Sequence, residues 1–388
     1  VRKVLVANRG EIARRVMAAL RERGIRSVAV YSDADTTAVH VRAADEAVRV
    51  GPAAAAESYL KIDAIVAAAK DTGCDGVHPG YGFLAENAAF ARAVEGAGLV
   101  FLGPRPDTLE LFGDKRRARA IALEAGVPVV PGWEGDPADL AAASAAADAM
   151  GWPVLVKAAH GGGGKGMTSV QDPSALAEAL DGAARVAASA FGDASVFLEK
   201  RILKPRHVEV QILGDGAGNV IHLGERECSL QRRHQKIVEE SPSPALDDAT
   251  RSALTSAAVA LGRAAKYRSA GTCEFLLAPD GKFYFLEINA RIQVEHPVTE
   301  LVTGVDLVHE QLHVAEAGTL RLTQEDWRPR GVAVEARVYA EDADRGFLPS
   351  SGPVLRAEFP VAPGVRVDAG VETGDEIGVH YDPMIAKV

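Results

Sequence analysis

Apolar runs of strand length recur through the first ~110 residues, at 3–7, 28–31, 47–50, 75–78 and 99–102. Helix-length segments at 10–23, 58–72 and 86–97 lie between them. Strand and helix in strict alternation build a parallel α/β sheet, with function placed in the loops at strand ends. One such loop, Asp75-Gly-Val-His78-Pro-Gly-Tyr-Gly-Phe-Leu-Ala-Glu86-Asn87, is glycine-rich and leads into a helix. An ordinary βα loop without a ligand would read the same. The first strand runs into Asn8-Arg9-Gly10-Glu11 with a single glycine, so the three spaced glycines of a dinucleotide fingerprint are missing. Asp33, beyond the strand at 28–31, could mimic a ribose-binding acid but carries little weight alone.

A helix at 113–125 leads to a compact stretch ending near residue 202. It holds an Ala-rich helix after Pro137, a strand at 154–157, a helix near 174–188 and a strand at 195–199. The strand at 154–157 ends in Lys157 and is followed by Gly161, Gly162, Gly163, Gly164, Lys165 and Gly166. Four consecutive glycines cannot sustain a helix, but they let bare N–H groups approach an anion, and Lys165 adds charge. A flexible linker is the alternative, although linkers are usually Gly/Ser-rich rather than set between apolar strands. A Walker loop does not fit, because Gly166 rather than Ser or Thr follows Lys165.

The remainder is strand-rich, with runs at 207–213 and 220–224, helices at 246–265 and 305–317, and strand-like 332–388. Its densest feature is Phe283-Tyr-Phe-Leu-Glu-Ile-Asn-Ala-Arg-Ile-Gln-Val-Glu-His-Pro297, where Glu287, Asn289, Arg291, Gln293 and Glu295 occupy alternate positions. Residues two apart share one face of an extended chain. A solvated strand face would alternate in the same way, so this segment alone leaves both readings open. The upstream strand Thr272-Cys-Glu-Phe-Leu-Leu277 and the turn Pro279-Asp280-Gly281-Lys282 make a hairpin. Pairing 279 with 282 sets Glu274 opposite Glu287. Carboxylates facing each other on the order of 5 Å apart repel, unless a cation sits between them. Two carboxylates with an Asn oxygen suit Mg²⁺.

Residues 225–236 mix Glu225, Arg226, Glu227, Gln231, Arg232, Arg233, His234 and Lys236, a set that suits a nucleotide and a small anion. A solvated charge run is the other reading. His207 alone would be structural. Arg337 lies in an apolar strand, so its charge needs a partner or a role, and a salt bridge to Glu335 or its neighbours would satisfy it.

The 388 residues allow two or three domains. A net charge of −10 argues against wholesale nucleic-acid binding. No run approaches the ~18 apolar residues of a membrane span. Cys74, Cys228 and Cys273 lack metal-ligand spacing and fit a reducing cytosol, so a cytoplasmic protein is expected. The chain starts inside a strand, without an initiator Met or signal segment, and both ends are expected to be cut from a longer protein. No internal repeat is present, and alanines at 138–149 are the sole low-complexity tract.

Taken in order, Lys3-Val-Leu-Val-Ala-Asn-Arg-Gly-Glu-Ile-Ala13, His78-Pro-Gly-Tyr-Gly-Phe-Leu84, the glycine loop, Arg232-Arg-His-Gln-Lys236 and 287–297 resemble biotin carboxylase, the ATP-grasp component of biotin-dependent acyl-CoA carboxylases. The likeness covers essentially the whole chain. It implies a Rossmann-like parallel sheet over 1–112, a helical linker over 113–130, an ATP-grasp lid over 131–202, a C-terminal ATP-grasp core with a mixed sheet over 203–330, and a shortened C-terminal domain over 331–388. The fold class is thus α/β and α+β.

The resemblance also implies roles. ATP would be clasped between lid and core by Lys115, Lys157, Glu199, Lys200, His207, Gln231 and His234, with residues 161–166 over its phosphates. Glu274, Glu287 and Asn289 would carry Mg²⁺, with Mn²⁺ as an alternative. Lys236, Arg291, Gln293 and the Val294 backbone would bind bicarbonate. Glu295 would deprotonate it, and Arg337 would stabilise the biotin ureido oxygen. Bicarbonate would attack the γ-phosphate to give carboxyphosphate, whose CO₂ passes to biotin in a site shielded from water.

The family's C-terminal domain continues past Lys387, so the closing wall of the adenine pocket and a dimer-supporting surface are expected beyond these residues. A homo-oligomer is expected of the full-length form. No Met-Lys-Met attachment motif occurs, so biotin is expected on a separate carrier protein or domain, with a carboxyltransferase as further partner. His160 stands where relatives often have a smaller residue, and nothing is drawn from it. Another ATP-grasp ligase acting on a carboxylate or amino acid, and a non-catalytic nucleotide-binding domain, are the competing readings. Arg291-Ile-Gln-Val-Glu295-His-Pro argues against the first.

Overall fold

The structure, a computed structural model, describes residues 1–158, 167–191 and 195–388. The predicted phosphate loop, Gly161, Gly162, Gly163, Gly164, Lys165 and Gly166, lies outside the described residues. The chain divides into two compact units. The first comprises Val1–Val127, Arg206–Phe275 and Glu287–Val388; the second comprises Pro128–Pro205 and Leu276–Leu286.

The first unit opens with β1 (Lys3–Val6), β2 (Arg26–Ser32), β3 (Glu46–Gly51), β4 (Gly76–His78) and β5 (Val100–Phe101). Their order is β3-β2-β1-β4-β5, and every pairing is parallel. Val4, Leu5 and Val6 are all buried, as a strand covered on both faces requires. The following helix, Gly10–Glu22, buries Ile12, Ala13, Val16, Met17, Ala19 and Leu20 along one stripe.

Strand order reverses between β1 and β4, and the loops that leave these two strands are stitched together. Asn8 Nδ2 donates to the carbonyls of Pro79 (2.8 Å) and Tyr81 (2.7 Å). Gly80 makes the approach feasible: its φ is +62°, and a Cβ there would meet Asn8 Nδ2 at 2.9 Å. The helix expected at 113–125 is Lys115–Glu124, and a further helix, Pro106–Gly113, precedes it. Between them Asp114 accepts from the amides of Arg116 and Arg117 and caps Lys115–Glu124.

The second unit carries β6 (Gly132–Glu134), β7 (Val154–Ala158), β8 (Met167–Val170) and β9 (Val196–Lys200), antiparallel in the order β6-β9-β7-β8. The helices Leu140–Met150 and Leu176–Phe191 cover it, packing Ala143, Ala147, Leu180 and Ala183 on Val154, Val156 and Leu198. Alanine on the helix faces keeps the layers close.

An eight-stranded sheet is formed mostly by β10 (Arg206–Asp215), β11 (Val220–Arg232), β12 (Gln235–Ser241), β13 (Arg268–Leu277), β14 (Phe283–Asn289) and β15 (Ala333–Tyr339); residues 276–286 of β13 and β14 belong to the second unit and the rest to the first. The order is β14-β13-β10-β11-β12-β15, continued by Met384–Lys387 and Asp368–Ala369.

The polar stretch at 225–236 forms the paired ends of β11 and β12. The turn between them is Arg233-His234, with φ of +52° and +66° and Arg232 paired with Gln235. Two-residue hairpin turns of this hand favour Asn-Gly, so an Arg-His pair there is strained. At the second hairpin, Ala278 N donates to the Lys282 carbonyl at 2.7 Å and Gly281 takes φ +82°. The turn therefore holds three residues rather than two, and the simple opposition of 274 to 287 predicted from a two-residue turn does not follow from it.

His78 ends β4 fully buried. Its Nδ1 accepts from Gly80 N at 3.0 Å, and Nε2 lies 3.1 Å from Gln311 Oε1, so the ring is neutral with its proton on Nε2. Burial pushes its pKa down to about 4 from 6.5. The unfolded chain therefore takes a proton below about 6.5 that the folded chain refuses, and stability is lost as pH falls from there toward 4. His78→Gln should shrink the stability difference between pH 7 and pH 5 by roughly 1–2 kcal/mol. Urea unfolding at the two pH values measures this, and an unchanged difference would contradict the assignment.

Candidate active site

Arg226, on β11, is the largest fully buried side chain among the described residues. A guanidinium has five N–H donors, and all five are used. Nε donates to Glu209 Oε1; Nη1 donates to Gln211 Oε1 (2.7 Å) and the Thr299 hydroxyl (3.0 Å); Nη2 donates to the Thr272 hydroxyl (3.0 Å) and Gln293 Oε1 (2.7 Å). One cation thereby ties β10, β11, β13, the 290–295 segment and the helix His296–Thr303.

Lys236 is saturated in the same way. Its three donors reach three carboxylates: Glu209 Oε2 at 2.5 Å, Glu274 Oε1 at 2.9 Å and Glu295 Oε1 at 2.6 Å. Glu295, 2 % exposed, takes Lys236 on one oxygen and Arg337 Nη2 on the other at 3.0 Å. Burial opposes the charge on Glu295, but Lys236, then Arg337, then Arg226 outweigh it, and its pKa is held well below the ordinary carboxylate range. Burial likewise opposes the charge on Lys236, and Glu209 and Glu295 raise its pKa well above normal.

Beside this cluster lies an acid pair. Glu274 Oε1 accepts from Lys236, Asn289 Nδ2 and Gln293 Nε2, each at 2.9 Å, and Oε2 lies 3.0 Å from His207 Nε2. Burial raises the pKa of Glu287, the charge of Glu274 raises it further, and Lys115 relieves part of the effect. The two acids therefore sense one another despite the three-residue turn. An acid whose charge is resisted by a neighbouring acid, with an Asn amide alongside, fits a hard divalent cation. Arg291 spans the edge of the pair. It donates to Asn289 Oδ1 (2.8 Å) and Glu86 Oε2 (3.0 Å), while Glu86 Oε1 accepts from Ala290 N (3.0 Å).

The residues proposed for nucleotide fall in both units. In the first, Lys115 opens the helix Lys115–Glu124, His207 pairs with Glu274, exposed Gln231 donates to the Cys228 carbonyl (2.9 Å), and His234 occupies the strained turn. In the second, Lys157 pairs with Glu199, and Lys200 donates to the carbonyls of Gly151 (2.8 Å) and Trp152 (3.1 Å). The Val294 carbonyl accepts from Lys387 Nζ at 2.6 Å.

Sequence reading missed several members. Glu209 and Gln211 sit on the same face of β10 as His207, and that alternation was a usable signal. Glu86 lies in the glycine-rich 75–87 loop. Glu239 and Lys387 gave no signal, since their relevance arises only from strand pairing.

Three family descriptions match the chain: the N-terminal domain of biotin carboxylase over 1–109, the ATP-binding domain of the carbamoyl-phosphate synthase L chain over 114–323, and the C-terminal domain of biotin carboxylase over 335–388. The mitochondrial methylcrotonoyl-CoA carboxylase alpha subunit of Oryza sativa subsp. japonica is 53% identical over 390 residues, covering 100% of this chain and 53% of that protein. The chain thus spans about half the length of the curated relatives it matches first. Among solved structures, the biotin carboxylase domain dimer of Hydrogenobacter thermophilus 2-oxoglutarate carboxylase, in complex with MgADP, ADP and bicarbonate, is similar at TM-score 0.90 and 47% identity, covering 100% of this chain and 85% of that one. A biotin carboxylase–β,γ-ATP complex from Campylobacter jejuni is similar at TM-score 0.93 and 43% identity, covering 100% and 86%. The fold and site define an ATP-grasp ligase. The chain belongs to the biotin carboxylase family. No helix among the described residues is long and apolar enough to cross a membrane.

Removing Arg226 would leave Glu209 buried against fewer cations and strand two amide and two hydroxyl partners. Arg226→Met should cost roughly 3–5 kcal/mol of stability in urea unfolding. Adding Glu209→Gln should cost less than the sum of the two single changes; strict additivity would show that the two side chains are not coupled.

Proposed function

We propose that this chain carboxylates biotin on a carrier, using ATP and bicarbonate through carboxyphosphate, as the first half-reaction of a biotin-dependent acyl-CoA carboxylase. The observation that carries this reading is Glu295, a buried carboxylate held between Lys236 and Arg337 and next to Gln293. A base meant for an anionic substrate needs cations that can change partners. Lys236 has three donors, all spent on carboxylates. Bicarbonate bound at Lys236, Arg291, Gln293 and the Val294 backbone would draw on those donors. Glu295 would then lose part of the field that depresses its pKa and become competent to take the bicarbonate proton.

ATP is assigned to Lys115, His207, Gln231 and His234 of the first unit, to Lys157, Glu199 and Lys200 of the second, and to the loop at 161–166. Glu274, Glu287 and Asn289 are assigned to Mg²⁺, with Mn²⁺ as an alternative; the ion, when bound, neutralises charge on phosphate oxygens. Arg337 is assigned to the ureido oxygen of deprotonated biotin, which requires it to release Glu295 in part. The same reading assigns residues 1–112, 113–130, 131–202, 203–330 and 331–388 to the sheet domain, linker, lid, core and C-terminal domain. Partners are a biotin carrier and a carboxyltransferase, and the full-length form is a homo-oligomer. Three buried free cysteines suit a reducing compartment, and the cytoplasm is the one proposed.

Glu295→Gln should abolish bicarbonate-dependent, biotin-stimulated ATP hydrolysis while ATP binding, followed by calorimetry, stays nearly intact. Loss of ATP binding in this variant would remove Glu295 from the role of base.

A further inference from the structure

β12 and β15 set two carboxylates directly opposite each other, because Glu239 pairs with Glu335. Residues so paired share one face of the sheet, with Cβ atoms about 4.5–5.5 Å apart. Both are buried, at 0% and 3% exposure, and the helix His296–Thr303 packs against both strands. Glu239 Oε1 accepts from Arg337 Nε at 2.6 Å. Glu239 Oε2 and Glu335 Oε1 have no hydrogen-bond partner among the described residues. Buried acceptors without donors are costly, and two adjacent buried carboxylates do not both stay ionised. A single proton held between the facing side chains removes both orphan acceptors and one of the two charges.

We propose that Glu239 and Glu335 share one proton, and that this pair positions Arg337, with Glu335 holding the proton and Glu239 presenting its anionic oxygen to the guanidinium. The inference rests on the functional reading above, since that reading gives Arg337 its task. The charged groups that act on the pair are Arg337, Lys387, Glu295 and Glu209. Lys387 stands opposite Arg337 on the adjoining strand, and His296 of the covering helix is kept neutral by burial. Burial lifts the Glu239 carboxyl to about 7 and the Glu335 carboxyl well above the usual range. An ionised Glu335, two residues from Arg337 on the same strand, would compete with Glu295 for the guanidinium. Protonation removes that competitor and leaves Arg337 between Glu239 and Glu295.

Two measurements on the full chain test this. In a parent-minus-variant infrared difference spectrum of Glu335→Gln, taken at about pH 8 where Glu11, lifted only to about 7, is mostly ionised, the C=O stretch of a protonated carboxylic acid should appear as a parent band. Its absence overturns the shared proton. In bicarbonate-dependent ATP hydrolysis stimulated by free biotin, Glu335→Ala should lower kcat roughly tenfold with the KM for ATP unchanged. Glu335→Gln, whose amide keeps a donor toward Glu239, should recover most of that loss. Equal losses in the two variants, or no loss in a folded Glu335→Ala, overturn the positioning role. If the parent itself hydrolyses no ATP in response to bicarbonate, the functional reading fails and the positioning role falls with it, while the infrared comparison still decides the shared proton.

Discussion

The buried guanidinium of Arg226 is the interaction on which the rest of the site depends. Five satisfied donors hold Glu209, Gln211, Thr272, Gln293 and Thr299 in one arrangement. Glu209, fixed in this way, presents its second oxygen to Lys236, and Lys236 in turn reaches Glu274 and Glu295. Burying so many charges is expensive, and such clusters persist because each charge is paired and each donor used. The return here is positional. Arg226 cannot move without leaving Glu209 and its four neutral partners uncompensated.

The sheet explains why those groups meet. β10, β11, β12 and β13 lie side by side, so alternate residues on neighbouring strands bring Glu209, Arg226, Lys236 and Glu274 together although they are far apart in sequence. The helix His296–Thr303 then delivers Glu295 at its N-cap position. Thr299, one turn into that helix, docks on Arg226. Placement of the proposed base is thus set by the contact that saturates the buried arginine.

This division accounts for what was legible in the sequence. The parallel sheet was plain because the inner strands β1 and β2 carry continuous apolar runs that are almost wholly buried, and the strand at Lys3–Val6 was predicted to within a residue. The alternation of Glu287 and Asn289 was legible because a period of two is a local property, whereas the strand ends at Asn289 and Glu295 reaches the site as the N-cap of the helix His296–Thr303 rather than on an extended face. Arg226 was noticed only as one charge in a crowded run. Its role comes from Thr272, Gln293 and Thr299, residues between 46 and 73 positions away, and no local pattern encodes such partners. The turn at Pro279-Asp280-Gly281 is one residue longer than its sequence signals, since two- and three-residue turns share the same Asp-Gly signal. Glu239 and Glu335 were illegible as a pair because their opposition is a matter of strand register alone.

Charge also sets how the proposed chemistry would be controlled. With Lys236 and Arg337 both on Glu295, the carboxylate is a weak base, and a site in this condition does not abstract protons from passing water or solutes. An anion that competes for Lys236 weakens one of those restraints, and a biotin ureido oxygen that competes for Arg337 weakens the other. Each substrate would raise the basicity of the site by taking a cation from the base. Under the proposed function, this couples proton abstraction to occupancy without requiring a moving element. Reactive carboxyphosphate would then form only where the groups that consume it are engaged. The condition is that the field at Glu295 be set by a few exchangeable hydrogen bonds over a fixed scaffold, and the saturated Arg226 beneath it supplies that scaffold.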